Sequence, residues 1–275
     1  MPDPAARPPA VAGRFYPGDR RALERELDRC LRQETPSEPA FARALGCVVP
    51  HAGYVYSGAV AGAVYRRLPQ RARFLILGPN HFGRGEPLAL MSEGVWLTPL
   101  GRATIDRELA RALRRHAPLL ADDPVAHAAE HSLEVQIPFL QRLYPAFIFV
   151  PIAIGVVHYA ALEALGHGVA QSISGLKDRP LIVASSDMNH YEPDALTRAK
   201  DHEAIEQILA LDPQGLWDVI HRRDISMCGY GPVVAMLTAV RDLGARQATL
   251  VRYATSADAS GDTSAVVGYA GIVVE

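Results

Sequence analysis

The chain has 275 residues, of which 49% are hydrophobic, and its formal net charge at pH 7 is −2. This composition can fill a sizeable core, and no apolar run reaches the roughly eighteen residues that a membrane-spanning helix needs. The near-neutral charge gives no basic surface for nucleic acid. Three cysteines make no disulfide framework, and the N-terminal segment lacks the pattern of a secretory signal. We therefore expect a reduced, cytoplasmic protein.

Strand-like and helix-like runs alternate along the chain, after a Pro- and Ala-rich segment at residues 1–10 that predicts a loose leader. Strands are predicted near 45–50, 73–78, 147–154, 181–186, 247–254 and 265–274. Helices are predicted near 20–33, 57–68, 105–116, 132–143, 159–175, 194–210, 213–222 and 231–243. This order predicts a single α/β domain over residues 11–275, with a central, mostly parallel sheet flanked by helices. The last two strands have only a short connection and are expected to form an antiparallel pair at one edge.

A histidine follows three of the apolar runs within a few residues. His51 follows GCVVP, His81 follows FLILGPN, and His190 follows LIVASSDMN. Ligands of open α/β sheets bind outside the carboxyl ends of the strands, so we expect the three imidazoles to share one site. Neutral imidazole is a ligand for iron, copper and zinc, which predicts a metal site. For His51 alone, a strand-end hydrogen bond is the competing interpretation.

The segment SSDMNHY, residues 185–191, adds a carboxylate and two hydroxyls to this edge of the sheet. Asp187 either ligates the metal or orients a ligand histidine. His190 is either a third ligand or a general acid/base, since its ordinary pKa is near neutrality. The competing interpretation is that Asp187 and the serines cap the next helix.

The stretch HAAEH, residues 127–131, matches the H-x-x-E-H pattern of one class of zinc peptidases. On a continuous helix His127 and His131 would share a face, with Glu130 as base, but Asp122-Asp123-Pro124 argues against a helix there. His131 and Glu134 either line the same cleft or serve as ordinary caps. Aromatic residues make up 7% of the chain, which predicts no obvious ring-stacking pocket.

The cysteines have different expected roles. Cys30 is expected to be an ordinary residue of a charged helix, and Cys47 a small buried hydrophobe inside a strand. Cys228 differs from both because it lies in the Gly-rich turn SMCGYGP, just before a predicted helix.

Seven short motifs occur in an order that is similar to that of a known family. They are AGRFYP (12–17), PHAGYVYSG (50–58), GPNH (78–81), EHSLEVQ (130–136), SSDMNHY (185–191), CG (228–229) and YAG (269–271). From residue 11 to the C-terminus the chain resembles the Memo family, whose prokaryotic members are called AmmeMemoRadiSam system protein B.

The resemblance implies a fold similar to class III extradiol ring-cleaving dioxygenases (LigB-like), which are non-haem iron enzymes. It implies that His51, His81 and Cys228 are the metal ligands, and that His190 is the catalytic acid/base with Asp187 beside it. Those dioxygenases use a carboxylate as third ligand, whereas a thiolate is softer and can itself be oxidised. Iron is the most expected metal, copper is possible and zinc is less expected. Tyr54, His131 and Glu134 are expected on the substrate side.

These implications give one main functional hypothesis and two alternatives. The main hypothesis is a mononuclear non-haem iron or copper redox protein with a dioxygenase-like site, working with radical-SAM and AMMECR-like proteins on a small-molecule or peptide ligand. The first alternative is a non-enzymatic metal- or peptide-binding adaptor. The second is a zinc hydrolase. No membrane partner is expected.

Overall fold

Strands and helices alternate along the computed structural model, which describes residues 6–32, 40–156 and 158–275. The strands of the described chain are β1 (Ala6–Arg7), β2 (Gly46–Val49), β3 (Arg73–Pro79), β4 (Leu88–Leu90), β5 (Val95–Thr98), β6 (Gly101–Ile105), β7 (Ala121–Asp122), β8 (Ile148–Ile154), β9 (Leu181–Ser185), β10 (His190–Glu192), β11 (Ala248–Thr255) and β12 (Val266–Val274). Its α-helices are α1 (Arg20–Cys30), α2 (Tyr54–Tyr65), α3 (Arg107–His116), α4 (Ile137–Leu143), α5 (Tyr159–Ser174), α6 (Asp194–Leu209), α7 (Pro213–Arg223), α8 (Tyr230–Asp242) and α9 (Ala257–Ser260). Short 3₁₀ turns occupy Pro124–His127 and Glu134–Gln136.

One mixed sheet runs through the molecule, in the order β1-β5-β6-β8-β3-β9-β2-β12-β10. Its centre, from β6 to β2, is parallel throughout, as predicted. The strand β12 is antiparallel to β2, and β11 pairs with it antiparallel, which confirms the predicted C-terminal pair. The neighbours β3, β9 and β2 therefore end at the same edge, and this edge carries the site described below.

The central strands are buried on both faces, which explains why they appear in the sequence as continuous apolar runs. Successive side chains of a strand point to opposite faces. Accordingly, Leu75 and Leu77 of β3 belong to one core, whereas Phe74 and Ile76 belong to the other. Cys47 of β2 is fully buried in this second core, as expected for a small hydrophobe.

Helices cover both faces of the sheet. On one face α8 packs on β2, β3 and β9, and α5 and α7 pack on α8, with α3 packed on α5. On the other face α2 packs on β2 and β12, with α1 and α4 beside it. Cys30 of α1 faces α2 where Gly58 and Gly62 let the two helices approach closely, since a Cβ at Gly62 would lie 2.1 Å from the Cys30 carbonyl oxygen.

The N-terminal segment differs from the loose leader that composition predicts. Residues 1–5 lie outside the described residues, but Ala6–Arg7 pairs in parallel with β5. The guanidinium of Arg7 is buried and bonded to Glu134, so residues from Ala6 onward are part of the folded domain. The composition is misleading here because one long-range ion pair fixes an otherwise unremarkable segment.

Several short elements were not apparent in the sequence. The strands β1, β4, β5, β6, β7 and β10 were not predicted, and the predicted helix at 132–143 is regular only from Ile137. Within the described ranges, every helix is too short or too polar to cross a membrane.

Candidate metal centre

A cleft of about 750 Å³ opens at the carboxyl edge of β3, β9 and β2. His51 follows the end of β2, His81 follows the end of β3, and Asp187 follows the end of β9. All three line the cleft, together with His190 and Cys228. Parallel strands deliver their carboxyl ends to one edge, so residues far apart in sequence meet as predicted.

His51, His81 and Cys228 each offer a ligand atom, and the three atoms lie within 4.8 Å of one another. The Cys228 Sγ lies 3.2 Å from His51 Nε2. Cys228 stands just before α8, in a turn that approaches β9 closely because the next residue is Gly229. A Cβ at Gly229 would lie 2.4 Å from the Ser185 carbonyl oxygen, so glycine permits this approach.

Hydrogen bonds fix the tautomer of His51. The single hydroxyl hydrogen of Ser185 is donated to the Ser132 carbonyl oxygen at 2.7 Å, and its Oγ accepts from the Gln136 amide at 2.9 Å. The contact of 2.9 Å between Oγ and His51 Nδ1 therefore requires that Nδ1–H donates. His51 Nε2 is left with its lone pair, directed at Cys228.

Glu130 fixes His81 in the same way. Its carboxylate accepts the His81 backbone N–H at 2.7 Å and lies 2.9 Å from Nδ1. A carboxylate only accepts, so Nδ1 carries the hydrogen and Nε2 is free to bind a metal. Glu130 also accepts the Ser132 backbone N–H at 2.8 Å. Histidine ligands of metals in proteins commonly have such a partner on the second nitrogen.

Burial sets the protonation of these groups. It lowers the pKa of His51 well below its ordinary value, and the neighbouring His131 and His81 lower it further. Burial also lowers the pKa of His131, to about 4. Burial is the largest single effect on Glu130 and opposes its ionisation, but the hydrogen bonds from His81 and Ser132 and the charges of His81 and His131 together outweigh it. The pKa of Glu130 falls to about 2. Neutral imidazoles beside an ionised carboxylate are prepared for metal binding.

Of the three candidate ligands, only the Cys228 thiol would have to lose a proton to bind a metal. Burial raises the pKa of this thiol, and the nearby Asp187 carboxylate raises it further. A bound cation deprotonates a ligating thiol, so metal binding at this site is coupled to proton release.

His190 lines the cleft without belonging to the group of three. Its Nδ1 lies 2.9 Å from the Ser226 carbonyl oxygen, so Nδ1 donates and Nε2 keeps a lone pair. The Ser226 hydroxyl accepts the His190 backbone N–H at 2.8 Å and donates to Asn189 Oδ1 at 3.0 Å. A β-bulge follows, in which Tyr191 has a left-handed φ of 60° and an exposed ring.

Asp187 supports the backbone of the loop that carries His51 and Ala52. Its Oδ1 accepts the N–H groups of His51 at 2.7 Å and of Ala52 at 3.3 Å. Burial raises the pKa of Asp187 to about 7, against the effect of these two hydrogen bonds. The two hydrogen bonds hold the backbone that carries His51.

Of the three residues predicted on the substrate side, only His131 lines the cleft. Its ring stacks on that of His81, with centroids 4.6 Å apart. Tyr54 is buried and its hydroxyl donates to the Val135 carbonyl oxygen at 2.6 Å. The Glu134 carboxylate is also buried and faces the N-terminal segment. The polar atoms of Tyr54 and Glu134 therefore contact other parts of the protein rather than the cleft. The local sequence could not indicate these long-range contacts.

The zinc-peptidase geometry is not formed by HAAEH. The 3₁₀ turn ends at His127, and no helix continues through Glu130 and His131 within the described chain. His127 is fully buried beside Trp96, with ring centroids 5.8 Å apart, whereas His131 lines the cleft. The two histidines therefore do not present a common face.

Other residues of the cleft were missed as site residues, although they lie inside motifs already noted. Arg14, Phe15, Val55, Tyr56 and Tyr191 line its sides. Three of them are aromatic, so the low aromatic content was misleading. The signal that could have found them is their position next to the predicted ligands or within AGRFYP.

Nearly the whole chain matches a known protein family. The family model described as Memo-like protein matches residues 7–273. The chain belongs to the Memo family. It is similar to MEMO1 family proteins of Methanosarcina acetivorans, with 46% identity over 98% of this chain and 99% of that protein, and of Methanopyrus kandleri, with 43% identity over 97% and 98%. A MEMO1 family protein of Pyrobaculum arsenaticum is 42% identical over 97% and 98%.

The residues of this Memo-family chain fit a transition metal rather than a hard cation. Two imidazoles with free Nε2 atoms and one thiol suit iron, copper or zinc, whereas magnesium and calcium prefer sets of oxygen ligands. The second ligand-like group, His81, Glu130 and His131, shares His81 with the first. Because Glu130 already receives hydrogen bonds from His81 and Ser132, its geometry corresponds to support of the first group.

Proposed function

We propose that this Memo-family protein binds one redox-active metal ion through His51, His81 and Cys228 and acts as a dioxygenase-like oxidoreductase. The observation that carries the proposal is the meeting of these ligand atoms within 4.8 Å at a cleft, with the second nitrogen of each histidine held by Ser185 or Glu130. Structural metal sites are closed by protein ligands, whereas a set of three beside a cleft leaves room for a substrate.

Iron is the metal we expect, and copper is the second choice. A thiolate with two imidazoles suits both ions, and zinc fits the same ligands but supplies no redox chemistry. Bound iron would supply electron transfer to and from dioxygen and substrate.

The protein's own groups supply proton transfer and orientation. His190 Nε2 keeps a lone pair because Nδ1 donates to Ser226, so His190 can take a proton from a bound substrate and return it later. Asp187 holds the backbone of the His51 loop through two N–H groups. Phe15 packs edge-on against His131, with centroids 4.8 Å apart, and covers that side of the cleft.

The partners proposed for this activity are a radical-SAM protein and an AMMECR-like protein, on the ground of the family resemblance. Co-purification of the chain with these two proteins, expressed together, tests the proposal. Recovery of the chain alone under these conditions would count against a stable complex.

A second candidate is recognition of a small molecule or peptide without turnover. Its support is the exposed apolar rim of the cleft, where Val55 is 62% and Tyr191 79% exposed. Exposed apolar side chains around a cleft are typical of ligand sites. Metal-loaded protein that binds such ligands but consumes no dioxygen with any of them would favour this candidate.

The deciding experiment is elemental analysis of protein purified without air. We expect near-stoichiometric iron or copper in the wild type, and loss of this metal in His51→Ala, His81→Ala and Cys228→Ser. The matched control is His116→Ala, because His116 is an exposed histidine at the end of α3. Circular dichroism establishes that each variant is folded.

Either of two results would overturn the metal proposal. The first is wild-type protein that is free of metal and refuses added iron and copper. The second is unchanged metal content in folded Cys228→Ser. Tightly bound zinc in place of iron, together with hydrolytic activity that needs no oxygen, would instead support the alternative function of a zinc hydrolase.

A further inference from the structure

Arg14 lies at the side of the cleft, and its positive charge is not paired with a described residue. It is exposed, it lines the cleft, and its guanidinium makes no hydrogen bond or ion pair with any residue of the described ranges. The Glu26 carboxylate, which lies with Arg14 on a neighbouring cavity, is already bonded to Arg29 through Nε at 3.0 Å and Nη2 at 2.5 Å. Arg14 therefore keeps its charge available to the cleft.

The backbone that carries Arg14 is held in place from two sides. The Arg14 and Phe15 N–H groups donate to the Val11 carbonyl oxygen at 3.0 and 2.9 Å. Gly13, with a φ of +81°, allows this tight turn. The Phe15 carbonyl oxygen accepts the Tyr54 N–H at 2.8 Å, which ties the loop to the start of α2.

Glu134 also holds the loop that carries Arg14. Its carboxylate accepts the backbone N–H groups of Ala10 at 2.7 Å and Val11 at 3.1 Å, and the Tyr16 hydroxyl at 2.7 Å. A loop fixed in this way presents the Arg14 backbone at a constant position, so on the protein's side ligand binding has to order the arginine side chain but not the loop.

The charge and apolar surface of the cleft define a class of ligand. Arg14 is the one arginine or lysine of the described cleft lining, and it lies close enough to His131 to contribute to lowering that residue's pKa. Phe15, Tyr56 and Val267 add apolar surface nearby. A guanidinium can bind a carboxylate through two parallel hydrogen bonds, and the apolar surface beside Arg14 suits an organic acid.

We propose that the ligand of this cleft is a small anion, with a carboxylate bound by Arg14 and an apolar body against the aromatic side chains. The inference rests on the proposed function in taking this cleft as the ligand site, but it does not require the metal to be redox-active. Arg14 is then the specificity-determining residue for charge.

The test compares benzoate with benzamide, which have similar shapes and differ in charge. Dissociation constants are measured by ligand-observed NMR on the purified wild type, Arg14→Gln and Arg111→Gln. Arg111 is the control because it is an exposed arginine of α3 outside the cleft lining. We expect the wild type and Arg111→Gln to bind benzoate about tenfold more tightly than benzamide, and Arg14→Gln to lose this preference.

The Cys228→Ser variant separates this proposal from the metal proposal. If the preference for benzoate persists in Cys228→Ser and vanishes in Arg14→Gln, Arg14 binds the anion whether or not a metal is bound. A preference that vanishes in Cys228→Ser and persists in Arg14→Gln would assign the carboxylate to the metal and overturn the role of Arg14. Equal binding of the two probes by the wild type, or no binding of either, would also overturn it.

Discussion

Glu130 contacts His81 at two atoms, accepting its backbone N–H at 2.7 Å while the imidazole Nδ1 lies 2.9 Å from the other carboxylate oxygen. The two residues are 49 positions apart in the chain. The double contact sets both the position of the loop after β3 and the tautomer of the ring. The candidate metal centre is therefore supported from the segment that the sequence suggested as a zinc-peptidase motif.

Replacing Glu130 with glutamine tests this support. The Glu130→Gln side chain keeps the shape but loses the charge, so Nδ1–H has a weaker acceptor and His81 is a poorer ligand. We expect the affinity for iron to fall by about 10–100-fold, as for other partners of metal-bound histidines. The measurement is a competition titration with a chelator under anaerobic conditions. Glu108→Gln, which changes an exposed glutamate, is the control, and equal affinities in the two variants would contradict the support role.

The role of His190 is tested by His190→Gln. Its Nε2 lies outside the group of three ligand atoms, so we expect the iron content to stay at the wild-type value. Loss of the acid/base group should lower oxygen consumption with a catechol probe by about 10²–10⁴-fold, the usual contribution of proton transfer. Metal analysis and an oxygen electrode give the two readouts. Loss of iron in this variant would make His190 a ligand instead.

The buried ion pair between Arg7 and Glu134 predicts a large stability change. Arg7 also donates to the carbonyl oxygens of His127 at 2.7 Å and Glu130 at 2.8 Å, so Arg7→Leu leaves a carboxylate and two carbonyls without this partner. We expect the free energy of unfolding in urea to fall by about 3–5 kcal/mol. The exposed pair of Arg107 and Glu93 provides the control. Arg107→Leu should change the free energy of unfolding by less than about 1 kcal/mol.

A fall below about 1 kcal/mol in Arg7→Leu would mean that the N-terminal strand contributes little. Such a result would mean that residues 6–10 behave as the loose leader that the composition predicts.

His127 predicts a loss of stability at acid pH. Burial and the nearby Arg7 lower the pKa of His127 to about 4 in the folded chain, and neither ring nitrogen makes a hydrogen bond of good geometry within the described residues. The unfolded chain binds this proton near pH 6.5, so it binds more protons than the folded chain between the two values. Folding stability due to His127 is therefore complete above pH 6.5 and falls as the pH drops towards 4.

Urea unfolding at pH 7.5 and pH 4.5 measures this contribution. Between pH 7.5 and pH 4.5 we expect the free energy of unfolding of the wild type to fall by about 2 kcal/mol more than that of His127→Leu, because leucine does not titrate. His116→Leu is the control, because His116 is an exposed histidine of α3. Its free energy of unfolding should fall by as much as that of the wild type. An equal loss in all three proteins would show that His127 does not titrate in this range.

Local sequence patterns encode some elements of this fold, whereas others depend on long-range contacts. The strands β2, β3 and β9 were predictable because each is a continuous apolar run, and a run of that kind fits a sheet buried on both faces. His51 and His81 were predictable as neighbours because parallel strands end at one edge. The short edge strands, such as β5 and β6, were not, because half-buried pairs of four or five residues have weak patterns.

The sequence by itself determined the α/β architecture, the edge at which the site lies and the residue types offered there, since hydrophobic runs and the residues that end them are local properties. Only the tertiary structure decided which partners complete the site. It brought Cys228 within 3.2 Å of His51, directed Glu134 to Arg7 rather than into the cleft, and turned the Tyr54 hydroxyl away from it. These contacts join residues that lie between 81 and 177 positions apart, and no local pattern encodes such distances.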